Sequence, residues 1–247
     1  LYGIDSNQFN SNLIISNHEF FRNETNRLLE FDLCYFKMLI LKVNFFQNMP
    51  YLKKICLNSN EIGEIESDAF FNLNNLQILT LSINKLQVIN PKMFVGLKNL
   101  TDLDLSSNQI NELKPNCFFE LKNLKKLNLR NNRLKKLEKD SFFGLENLKE
   151  LNLSQNLLEF NENFKQNDSP FIYLKQLYHL ILDSNPIRHL PTNVFIGLEN
   201  LNFLSMNLIW IEKIEKNSFH GLKYLRKLEI DIDFKTNYRL KSIDENA

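Results

Sequence analysis

The chain is poor in the residues that organise small disulfide or metal domains. Three cysteines occur in 247 residues, Cys34, Cys56 and Cys117. They give neither a disulfide framework nor a paired Cys-x-x-Cys metal spacing. Glycine and proline number six each, and there is one tryptophan. Charge of one sign is lacking too: 30 Lys and Arg against 29 Asp and Glu leave a net charge of +1. No whole-protein field therefore favours DNA, RNA or an anionic membrane. The greasiest segment, "LLEFDLCYFKMLILKVNFF", is interrupted by Glu30, Asp32, Lys37 and Lys42, so nothing here reads as a membrane span. Also missing are an HExxH pair, a phosphate-cradling glycine loop and a nucleophile elbow. His18, His179, His189 and His220 share no spacing. The reading is of a non-enzyme without cofactor or metal. The chain starts with Leu and shows no leader, which reads as a processed product or a fragment.

What is there is globular, 43% apolar and 24% charged, and it repeats. From Leu124 the apolar residues fall at Leu127, Leu129, Leu134, Leu137, Phe142 and Leu145, with Asn132 among them. Twenty-four residues earlier stand Leu100, Leu103, Leu105, Ile110, Leu113, Phe118 and Leu121, with Asn108. The frame restarts at Leu28, Leu52, Leu76, Leu148, Leu177, Leu201 and Leu225. Phe46, Phe70, Phe94, Phe118, Phe142, Phe171, Phe195 and Phe219 mark the same beat, with one interval five residues too long. That excess lies in an insertion near 159–171. A fixed period of this length is the signature of a stacked repeat.

The pattern LxxLxLxxNxLxxIxxxxFxxLxx resembles the leucine-rich repeat. The 24-residue form with an FxGLxNL tail is similar to the class in animal extracellular proteins such as Toll-like receptors and neuronal leucine-rich-repeat proteins. The resemblance implies an α/β solenoid, a right-handed curved coil with a parallel β-sheet on the concave face and irregular or 3₁₀ segments on the convex face. Residues 28–247 hold about nine copies, and 1–27 read as a degenerate repeat or cap remnant. Phe36, Ile209 and Asp233 replace the Asn in three copies. The cysteine-rich caps of extracellular relatives are absent, and an incomplete chain is the expectation.

Physics accounts for the form. Ordering one copy costs roughly 1–2 kcal/mol per residue in backbone entropy, while each buried apolar side chain returns only about 1.5–3 kcal/mol. One copy cannot stand alone, but stacking buries both of its faces. Asn60, Asn84, Asn108, Asn132, Asn156 and Asn185 are expected to form a buried ladder that satisfies loop backbone. The eight phenylalanines are expected to fill the convex layer.

The stretch Leu127–Leu137, "LNLRNNRLKKL", is basic: Arg130, Arg133, Lys135 and Lys136 lie in it and Lys126 directly precedes it. These five form one candidate site, for a sulfated glycan or acidic partner. The alternative is an Asp102–Lys126–Glu150 row of cross-strand charges. No aromatic platform interleaves them, against nucleic acid. Glycosylation candidates are Asn23, Asn99, Asn152 and Asn167. "DIDF", Asp231–Phe234, lacks the later ligands of a calcium loop. Cys34 and Cys56 fall two positions out of register on adjacent strands, on the order of 8 Å apart, which favours free thiols or a modest register adjustment.

Outward positions are mostly polar until the copies from Leu177 and Leu201. There Ile181, Phe203 and Leu208 are apolar, flanked by Tyr178, His179, Asp183 and Trp210. Clustered exposed aromatics beside polar groups mark an interface hot spot, against the alternative of local repacking around Ile209 and Trp210. The function read from the sequence is protein recognition on the concave face. The module would be an extracellular or membrane-anchored receptor or adhesion ectodomain with a protein ligand or co-receptor; a homodimer is compatible with it. The alternatives are a glycan- or matrix-binding structural protein and a cytoplasmic adaptor.

Overall fold

The computed structural model describes residues 28–160, 168–230 and the 242–243 strand. The segment 1–27, Asn23, Asn167, Asp233 and the DIDF stretch lie outside the described residues. Nine three-residue strands build one parallel sheet in sequence order: Glu30–Asp32, Lys54–Cys56, Ile78–Thr80, Asp102–Asp104, Lys126–Asn128, Glu150–Asn152, His179–Ile181, Phe203–Ser205 and Lys227–Glu229. The first eight strands bury their middle residue and turn their two outer ones to the open face, the alternation that pleating imposes, while Leu228 in the last strand is exposed. Leu103, Leu127, Leu151, Leu180 and Leu204 form that buried row, each at most 2% exposed. The register survives the insertion, since Glu150 faces His179 and Asn152 faces Ile181.

Behind the sheet, the Phe column is continuous over most of its length. Seven of the eight rings are fully buried, and Phe219 is partly buried against the same core. Phe118, Phe142, Phe171 and Phe195 stack at centroid spacings of 6.5, 6.4 and 6.1 Å. The convex side is irregular. It runs as successive backbone turns of three residues, such as Leu121 N to Phe118 O and Leu124 N to Leu121 O, with no helix among the described residues. Gly197 is needed in one such turn: its φ is +102°, and a Cβ there would collide with the Phe171 carbonyl oxygen.

Two ladders of asparagine tie coil to coil. In the inner one, Asn132 Nδ2 donates to Leu105 O and Leu129 O, both at 3.0 Å, and its Oδ1 accepts from Ile110 N. Asn60, Asn84, Asn108, Asn156 and Asn185 each donate in the same way to the preceding coil and to their own. The outer ladder was not anticipated. Asn75, Asn99, Asn123, Asn147 and Asn200 each donate Nδ2 to a carbonyl of the previous coil, at 2.7–2.9 Å. Its signal was the Asn of the LxNL tail. Asn99, a glycosylation candidate, thus has its amide nitrogen bonded to Asn74 O.

The expectation of free thiols at Cys34 and Cys56 is corrected: the two form a disulfide with Cα atoms 5.9 Å apart, inside normal disulfide reach. The register is regular, with Asp32 opposite Cys56. The strand ends at Asp32 and the chain turns beyond it, so Cys34 does not sit where a straight strand would put it. Tyr35 in that turn is left-handed at φ +68°, as Ser59, Ile83 and Ser107 are at the same place in later coils. The estimate of about 8 Å assumed that the strand continued straight. Cys117 is a free, buried thiol, and burial pushes its pKa up.

Short flank ladders pair Ile40–Leu41 with Glu64–Ile65, Val88–Ile89 with Glu112–Leu113, and His189–Leu190 with Lys213–Ile214. In the last, Glu215 Oε1 lies 3.0 Å from both His189 Nε2 and Lys213 Nζ. Burial pushes the Glu215 pKa up, but the Thr192 amide, Lys213 and His189 together hold it at about 2, below its ordinary 4.5. A depressed carboxylate contributes stability that is present above its ordinary value and lost as pH falls towards the folded one. Glu215→Gln should therefore be less stable than the parent at pH 7, and the gap should close between about pH 4.5 and about 2. Urea melts across that range measure it; a gap that ignores pH would exclude the charge as its source.

Candidate functional site: the open sheet face

The outer residues of seven consecutive strands, from Ile78–Thr80 to Lys227–Glu229, line one groove. The repeat makes it so: parallel strands in register put every first residue in one row and every third residue in another. The first row reads Ile78, Asp102, Lys126, Glu150, His179, Phe203, Lys227. Each is therefore one strand spacing, about 4.8 Å, from the next.

Of the seven residues read as a concave hot spot, the structure brings His179, Ile181 and Phe203 together on the groove wall. The His179 ring meets Phe203 edge-on at 5.7 Å, and Tyr178 lies 4.9 Å from His179. Lys227, which the sequence reading missed, sits 5.3 Å over the Phe203 ring. Asp183 belongs to a polar cluster at the strand ends. Its Oδ1 accepts from Ser205 Oγ and Asn207 N, both at 2.7 Å, and Asn207 Nδ2 reaches Glu229 at 3.4 Å. Lys227, at 2.6 Å, holds the Glu229 carboxyl below its usual range.

Leu208 and Trp210 do not line the groove. Leu208 is exposed with φ +53°, and this left-handed residue swings the chain off the sheet. Trp210 then pairs its backbone N with Ile187 O, and Arg188 lies 5.4 Å over its ring. Ile209, in the Asn slot, is buried. The predicted cluster is thus split between groove and flank.

The basic candidates run from sheet to flank, and two of the five are paired with a carboxylate. Lys126 Nζ is 3.1 Å from Glu150 and Lys136 Nζ is 2.7 Å from Glu138. Arg130 Nε donates to Gln155 at 3.0 Å, and Arg133 and Lys135 are exposed. Asn152 lines the groove, its Oδ1 accepting from Ser154 N and Oγ. Asp32, Cys34 and Cys56 are the one metal-like cluster among the described residues, but its two sulfurs are joined to each other. No helix among the described residues is long and apolar enough to cross a membrane.

Coils that contact only their neighbours, with an asparagine ladder inside and one open parallel face, define a repeat solenoid. The leucine-rich-repeat family model matches residues 26–86, 50–110, 75–134, 98–158 and 175–233, and the chain belongs to that family. No curated protein matches it. Among solved structures it is similar to one chain of the mouse RP105/MD-1 complex, at 27% identity and a TM-score of 0.73 over 84% of this chain. It also resembles one chain of a TLR13–ssRNA13 complex, at 22% identity and a TM-score of 0.53 over 87% of this chain, which shows the fold alone. The chain spans 35% and 41% of the lengths of those two structures.

Proposed function

We propose that this domain is a non-catalytic protein-recognition module, part of a receptor or adhesion ectodomain, that holds a protein partner in its groove. The observation that carries the reading is the His179–Ile181–Phe203 cluster. These apolar and aromatic side chains are partly exposed on a mostly polar sheet face, and aromatic anchors in a concavity supply most interface energy. Two further facts support it. The similar RP105 structure is a complex with MD-1, and the Cys34–Cys56 disulfide suits an oxidising compartment outside the cytosol.

The test is surface plasmon resonance of the purified domain against an array of secreted and cell-surface ectodomains. At least one partner should bind at micromolar Kd or tighter, and Phe203→Ala should weaken it at least about tenfold, roughly 1.4 kcal/mol, with an unchanged melting temperature. Binding lost only in Trp210→Ala would move the site to the flank. Heparin binding abolished by charge reversal at Lys126 and Arg130 would replace a protein partner with a glycan.

A further inference from the structure

Two stations inside the groove, with Ile78 and Thr80 beyond the first and Lys227 beyond the second, differ in chemistry. At the first station Asp102 and Asp104 project from the same strand. Lys126 lies beside Asp102 in register, but its ammonium is given to Glu150 at 3.1 Å. Asp102 accepts from Thr101 Oγ1 and Asp104 from Ser106 N. Among the described residues neither carboxylate has a cation, so this station carries two uncompensated negative charges. At the second station stand His179, Ile181 and Phe203.

Between the two stations the lining is built to meet a backbone. Asn128 and Asn152 each use Oδ1 to accept from a turn amide, Arg130 N and Ser154 N. Their Nδ2 groups carry no hydrogen bond among the described residues, which leaves two amide donors, one strand apart, for carbonyls of a guest, that of Asn152 where its sequon carries no glycan. Ile181 lies three strands from Asp104, and Phe203 lies four from Asp102. At about 4.8 Å per strand the two stations are about 14–19 Å apart, the span of roughly four to six residues of extended chain at about 3.3 Å each.

Resting on the reading of the groove as a protein-binding face, we infer that it takes an extended peptide segment of a partner with two anchors. A Lys or Arg sits against Asp102 and Asp104, and an aromatic or aliphatic side chain four to six residues away packs on His179, Ile181 and Phe203. Charge complementarity decides for a basic anchor, since an acidic one would meet two like charges. The spacing decides for an extended chain, because a helix advancing 1.5 Å per residue would need about nine to thirteen residues between anchors.

The probe is an array of synthetic Gly/Ser dodecamers carrying one Arg and one Phe at separations of two to ten residues, read by fluorescence polarisation. Affinity should peak at separations of four to six, and replacing Arg by Glu should reduce it at least about tenfold. The D102N/D104N double variant should lose the preference for Arg over Gln while keeping that for Phe over Gly. Phe203→Ala should do the reverse, and both variants should keep the parent melting temperature. A flat response to separation, or equal losses for every peptide in both variants, overturns the two-anchor inference. If ectodomain partners still bind in a Phe203-dependent way while the array shows no peak, the protein-recognition reading stands and this inference alone fails.

Discussion

Replacing Phe142 by alanine is expected to cost about 3–5 kcal/mol, the range for truncating a buried aromatic. The ring is fully buried and stacked between Phe118 and Phe171 at 6.5 and 6.4 Å. Two features keep the site from collapsing around the lost volume. Each coil is held to the next by strand register and by both asparagine ladders, so the backbone cannot close in. The neighbouring rings belong to coils with their own packing to satisfy, so they cannot tilt far into the gap. A urea series with a common m-value measures the loss. A cost below about 1 kcal/mol would mean that the column does not carry the convex layer.

Asn132→Ala is expected to cost about 1–3 kcal/mol, by a different route. Truncation leaves the Ile110 amide without a partner inside the solenoid, and a buried orphan group costs about 1–3 kcal/mol. It also takes one of two donors from each of the Leu105 and Leu129 carbonyls, which keep Asn108 and Asn156. Asn132→Asp separates this effect from volume, because the shape is kept while the donor becomes an oxygen aimed at carbonyls. It should be at least as damaging as alanine. Hydrogen exchange at the Ile110 amide gives a local reading, faster in Asn132→Ala, which loses the Oδ1 acceptor, than in Asn132→Asp, which keeps one. Slow exchange at Ile110 in a stable Asn132→Ala protein would show the ladder to be dispensable.

The sheet was legible because one period governs every buried position: where Leu127 goes, Leu103 and Leu151 must follow. The Cys34–Cys56 bond was not legible, because a straight strand puts Cys34 out of reach. The strand instead ends at Asp32 and the chain turns there, with the left-handed residue Tyr35 that recurs as Ser59, Ile83 and Ser107 in later coils. The flank pairs were hidden for another reason. Two-residue backbone ladders accept many side chains, so Glu64, Val88 and Lys213 share one role without sharing chemistry. In the groove, the repeat frame placed His179 and Phe203 on neighbouring strands, but it set Trp210 with them. The backbone leaves the sheet at Leu208, and that departure separates them. Lys227 went unread because the last copy is irregular in sequence, although its strand keeps register with Phe203.

The five extra residues in the copy after Leu148 leave no trace in the sheet: Glu150 still meets His179, and Phe142 still stacks on Phe171. Chain length can change between Leu158 and Ser169 without disturbing the strand register or the ring stack on either side. A solenoid of this kind transmits register through its hydrogen-bonded strands and stacked rings, so an added segment between two coils costs the sheet nothing.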